Sequence, residues 1–159
     1  RESRGVMIAT LSPGQIEQVL HEQVIGRIGC HSRGQTYVVP TTYAYLDGAV
    51  VCHTGNGLKV RMMRENPEVC FEVEDLRHLP RWSSVIAFGR YEELHGEEAH
   101  RALRQLVARL GASPPDLTSM PFQGAGTREA VTGAWPSGAW RPDVVFRIIL
   151  AEKSGRHQP

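Results

Sequence analysis

His53, Thr54, Gly55, Gly57 and Lys59 fall together in VCHTGNGLKVRMMRENPEVCFEVE, residues 51–74. The order is an apolar strand, a glycine-rich turn, a short basic helix closed by Asn66-Pro67, and a second apolar strand. Glycines at a helix start leave backbone N–H groups open, and these carry the positive end of the helix dipole. An anion such as a phosphate suits such a place. Thr54 can donate a hydroxyl, and Lys59 or Arg61 can supply charge. A glycine-rich turn with solvated cations is the plainer alternative, and the residue types alone leave both readings open.

Several better-known chemistries are excluded. GNGLKV resembles the start of a dinucleotide fingerprint, but Val60 stands where the third glycine belongs, and the preceding strands are linked by hairpins rather than by a crossover. No Gly-Lys-Ser/Thr occurs, so there is no Walker loop, and no GxSxG elbow supports a hydrolase. Cys30, Cys52 and Cys70 form no CxxC pair and sit in apolar, strand-like runs, where reduced, buried thiols are expected. Cys30-His31 and Cys52-His53 do not make a metal site, because adjacent strand residues point to opposite faces. No side-chain acid, base or nucleophile stands out as catalytic.

The elements that position these residues are those of one domain, as expected for 159 residues. The formal charge of +1 and the absence of a long Lys/Arg run argue against nucleic acid as a partner. No apolar run reaches the ~18–20 residues of a membrane helix. The N-terminus lacks the apolar core of a signal peptide, so a cytoplasmic protein is expected. Ser12-Pro13 opens a helix to about His21 with Ile16, Val19 and Leu20 as its apolar stripe. Strands follow over 24–31, 36–45 and 49–53, joined by SRGQ and the Asp-Gly turn LDG. Two further strands are expected at 68–74 and 83–94, then a helix at 97–110 with Ala99, Leu103, Leu106 and Leu110 on one face, and a sixth strand at 143–152. Six antiparallel strands with few helices predict a mainly β (α+β) barrel or sandwich. Residues 111–142, with Trp135 and Trp140, show little periodicity and read as an irregular excursion, a packed arm or a dimer contact. Pro40 lies mid-strand, where a missing N–H marks an edge or a bulge. Thr41, Thr42, His53 and Ser84 are further polar edges that a ligand could use.

In this order the pieces resemble the pyridoxamine-phosphate-oxidase-like, FMN-binding split-barrel family, nearest its nitroimidazole-resistance (Nim) branch. The resemblance rests on GRIGCHSRGQTYVVPTTYAYLDGAVVCHTGNGLKVRMMRENPEVCFEVE, WSSVIAFGRYEEL and FRIILAEKSGR. It implies a six-stranded antiparallel split β-barrel of Greek-key type with flanking helices. It also implies a homodimer with flavin sites at the interface. The FMN phosphate would lie at Thr54, Gly55, Gly57 and Lys59, with His53 beside it. Val39, Pro40, Thr41 and Thr42 would line the isoalloxazine, and Trp82, Ser83 and Ser84 would lie near the same cofactor. Nim-like proteins often carry a histidine just before the loop lysine, where this chain has Leu58.

The resemblance implies an FMN-dependent oxidoreductase passing electrons from a nicotinamide donor to a small oxidised acceptor, such as a nitro compound or a quinone. The cofactor would supply the chemistry and the protein its orientation. A second reading is a flavin-, deazaflavin- or haem-binding sensor or carrier without turnover, with His31 or His53 as the axial ligand in the haem case. A third is an interaction scaffold in which the glycine turn is only a turn.

Overall fold

The computed structural model describes residues 7–110 and 144–159. The excursion expected at 111–142 lies outside the described residues. Among the described residues eight strands and three helices run in the order β1 (Ala9–Thr10), α1 (Pro13–Glu22), β2 (Ile25–Ser32), β3 (Gln35–Thr42), β4 (Ala44–Leu46), β5 (Ala49–Thr54), α2 (Leu58–Glu65), β6 (Glu68–His78), β7 (Arg81–Leu94), α3 (Gly96–Leu110) and β8 (Val144–Gln158).

Every ladder is antiparallel, and the sheet order is β3-β2-β6-β7-β8-β5-β4, with β1 also on β8. This is the expected α+β split-barrel arrangement. The strand count is eight rather than six, and the ladder does not close. Two local features account for the difference. The run 36–45 breaks at Tyr43, whose ring is wholly buried and whose hydroxyl donates to Leu20 O at 2.9 Å, so β3 and β4 become separate strands at opposite ends of the sheet. The short β1 pairs Ala9 with His157 and Thr10 with Arg156, extending β8 well past the apolar residues that announced it.

Local chemistry sets the corners. Ser12 and Gln15 form a reciprocal capping box at α1, with Pro13 in the first helical turn. Arg33-Gly34 and Asp47-Gly48 take positive φ at both turn positions, the geometry that two-residue hairpins need. Ile28, Phe71, Phe146, Ile148, Val60 and Met63 fill the core without exposure. On the other side of β4 and β5, α3 packs Ala102, Leu103 and Leu106 against Ala44, Val51 and Leu46, with Ala99 and Leu110 at the margin. β5 is therefore covered on both faces, and all six of its residues are buried. Among the described residues no helix is long and apolar enough to cross a membrane.

Candidate functional site

β5 ends in Cys52, His53 and Thr54, and alternation puts Cys52 and Thr54 on the core face with His53 on the opposite face, alongside Val51. The chain then turns through Gly55, Asn56 and Gly57, all exposed, and Gly57 N donates to Gly55 O at 2.9 Å. Gly57 caps α2, and no side chain hydrogen-bonds to that cap. A Cβ placed on Gly57 would meet nothing within 4 Å, so the outer side of the turn is open space. The first amides of α2 have no intrahelical acceptors, and the helix start carries the positive end of the dipole.

Lys59, in the first turn of α2, is buried. Burial lowers its pKa below the ordinary lysine value, an effect partly offset by the neighbouring thiols of Cys52 and Cys30. The same burial pushes the Cys52 thiol up to about 12, against a hydrogen bond with Thr41 and the nearby Lys59 charge. His53 is fully buried, and desolvation reinforced by Lys59 lowers its pKa to about 4. At neutral pH the imidazole and the thiol are therefore uncharged, and Lys59 is the only potential charge in the group. Such an arrangement holds Cys52 as a thiol rather than a thiolate, and a lysine charge at the helix start favours an anion.

The structure brings together Thr41, His53, Thr54, Gly55, Gly57 and Lys59. Thr41 is buried at the end of β3, while Val39 and Thr42 are half-buried and Pro40 is exposed. Pro40 lies opposite Arg27 on a strand at one end of the sheet, which is where a residue without an N–H belongs. Trp82, Ser83 and Ser84 are elsewhere. They pair with Gln158, His157 and Arg156, whereas Thr54 pairs with Val144 at the other end of the same β8. At about 3.3 Å per residue, on the order of 45 Å of strand separates the two groups. Trp82 Nε1 instead donates to Gln158 Oε1 at 3.0 Å and helps line a separate cavity of about 490 Å³ with Asp75, Arg81 and His157.

Sequence reasoning missed Cys52 as a polar neighbour, because it reads as a core residue. It also missed the anchoring of the turn. Asn56 Oδ1 accepts from Arg64 Nη1 at 3.1 Å, and Arg64 in turn grips Glu93 on β7. The outer face of the sheet holds a broad concavity of about 830 Å³, where Val38, Phe88 and Ile149 are 62%, 57% and 46% exposed. Among the described residues no group of three or more His, Cys, Asp or Glu could hold a metal ion.

The fold defines a split-barrel protein of the α+β class. The profile of the family described as pyridoxamine 5'-phosphate oxidase matches residues 12–157, and the chain belongs to that family. A FAD-binding protein from Mesorhizobium loti is 30% identical, with 96% of this chain and 99% of that one covered, at a TM-score of 0.72. A candidate 5-nitroimidazole antibiotic resistance protein from Bacteroides thetaiotaomicron is 19% identical, with 97% and 89% covered, at a TM-score of 0.67. A FAD- and haem-binding protein from Mycobacterium smegmatis is 15% identical, with 95% and 73% covered, at a TM-score of 0.66. With the last two the likeness is one of fold.

Proposed function

We propose that this chain is a flavin-dependent oxidoreductase, with FMN as its first candidate cofactor. The observation that carries the reading is the open, uncapped start of α2, fed by an exposed glycine turn above buried Lys59. These residues fit a phosphate: helix-start amides without intrahelical acceptors, an exposed glycine turn before them, and a lysine in the first helical turn. Thr54 and the turn amides would hold the phosphate. Val39, Pro40, Thr41 and Thr42 would offer an edge of β3 to the ring system. A bound flavin supplies hydride and electron transfer, from a nicotinamide donor to a nitro compound, a quinone or a similar small acceptor. The similar protein from Mesorhizobium loti is named as FAD-binding, which makes FAD the second candidate.

The homodimer belongs to the same proposal. A single chain keeps Trp82–Ser84 far along β8 from the turn, so the two groups can meet only if a second copy contributes one of them. The exposed Val38, Phe88 and Ile149 are the apolar surface such a copy would cover. A haem-binding reading is less well supported, because His53 is fully buried and His31 Nδ1 lies 3.0 Å from Thr36 Oγ1.

The test is the absorption spectrum of the purified protein, followed by titration with FMN and with FAD and then by NADH and NADPH oxidation with nitro and quinone acceptors. Flavin bands with turnover support the proposal. Flavin bands without turnover leave a carrier or sensor. Failure to take up either flavin overturns it.

A further inference from the structure

The turn between β5 and α2 has a single side chain between its two glycines, that of Asn56, and that side chain is engaged. Its Oδ1 accepts from Arg64 Nη1 at 3.1 Å. The other two nitrogens of the same guanidinium go to one carboxylate, Nη2 to Glu93 Oε1 at 2.6 Å and Nε to Glu93 Oε2 at 2.9 Å. Glu93 is held in turn by Tyr91, whose hydroxyl donates to Oε2 at 3.1 Å. The Tyr91 ring is packed in the core, with its centroid 5.3 Å from that of Phe146. A continuous series of bonds thus runs from the core through β7 and the last turn of α2 to the tip of the glycine turn.

We infer that Arg64 and Asn56 are positioning residues that hold the glycine turn in its anion-binding shape through Glu93 and Tyr91. The inference rests on the flavin reading of that turn. Two glycines leave the turn many conformations, and ordering them on binding would weaken affinity. A bidentate Arg–carboxylate pair has a fixed fork geometry, so it sets direction as well as attraction. The third nitrogen carries that direction to Asn56. The Arg64 guanidinium holds the Glu93 carboxyl below its ordinary pKa, so the anchor is ionised at neutral pH. Lysine could keep the charge of Arg64, but its three donors sit on one nitrogen and cannot reproduce the planar fork that spans the Glu93 carboxylate and Asn56.

The experiment compares wild type with Asn56→Ala, Arg64→Lys, Arg64→Met and the Asn56→Ala/Arg64→Met double variant. FMN affinity is read by fluorescence titration, and amide hydrogen exchange at Gly55–Leu58 is read in the flavin-free protein. Each single variant, Arg64→Lys included, should weaken FMN by about tenfold, and the double variant should be no weaker than the worse single one. Exchange in the turn should quicken by roughly fivefold or more while the global unfolding midpoint stays within a few degrees. Wild-type affinity in Arg64→Lys would reduce Arg64 to a mere charge near the phosphate and overturn the inference. So would strictly additive effects, or exchange in the turn that none of the variants alters. A wild-type protein that takes up no FMN would remove the flavin reading instead, and the exchange data would then decide the relay by themselves.

Discussion

His53 is where burial has the most measurable consequence. Its ordinary pKa of 6.5 falls to about 4 in the folded chain. Above pH 6.5 the imidazole is neutral folded or unfolded and contributes no pH dependence. Below that value the unfolded chain takes up a proton that the folded chain refuses, so stability falls by about 1.4 kcal/mol per pH unit. The loss ends near pH 4, where the folded form is protonated too. Glu65, held low first by the Ser32 hydroxyl and then by Arg33, and Glu93, held low by Arg64, act only below their ordinary 4.5. Glu72, raised by burial and by Glu74, is instead protonated first in the folded chain and opposes the histidine at the acid end. The His53 share is therefore read as the difference between wild type and variant. Urea unfolding at pH 7, 6 and 5 should show that slope in wild type and a smaller one in His53→Asn. Equal slopes would mean that the histidine is solvated. Lys59→Met separates function from stability. A buried cation is costly to desolvate, so its removal should raise stability by about 1 kcal/mol. FMN binding should weaken roughly tenfold if the charge faces a phosphate, and an unchanged affinity would move the phosphate elsewhere. The sequence showed these residue types and their grouping. It could not show that Lys59 is buried, because a lysine between two glycines and a basic helix reads as a surface cation.

Elements were legible in proportion to the strength of their local signals. The Ser12-Pro13 start of α1, the apolar stripe of α3 and the Asp-Gly turn each have a residue-level cause, and each lies where it was expected. The break at Tyr43 was not legible, because the sequence signal in TYVVPTTYAY falls at Pro40, whereas the division comes from tertiary burial of the Tyr43 ring. The length of β8 was hidden too, since AEKSGRHQ is polar and its strand form comes from pairing with β7 and β1. Gly26 shows how closely the strands fit: a Cβ there would stand 2.3 Å from the Phe71 ring and 2.8 Å from Glu72 O. Gly26→Ala should therefore destabilise the chain by about 1–3 kcal/mol, as overpacked cores do. A thermal midpoint equal to wild type would show that the Phe71 ring can yield without cost.

At the scale of the whole molecule, register decides what a single copy can assemble. Trp82–Ser84 and the glycine turn, both expected beside one ligand, are parted by the length of β8, a fact that no local pattern encodes. If two copies share each site, Phe88→Glu should leave a folded monomer with little or no flavin, whereas wild type sediments as a dimer. A Phe88→Glu dimer, or a monomer that still binds flavin, would place the apolar face outside the site.

The position of β8 also dictates an order of events during synthesis. It is the partner of β1, β5 and β7, yet it leaves the ribosome after all three. Thr10 waits for Arg156, and His53 waits for Val145. Until Val144–Gln158 emerges, β5 and β7 present unpaired edges, and nascent chains with such edges invite association with one another. Closure is a late, long-range event, of the kind that makes β-rich chains slow to fold. Ribosome-bound chains halted before Val144 should stay open to protease, and those that carry β8 clear of the exit tunnel should become resistant in one step.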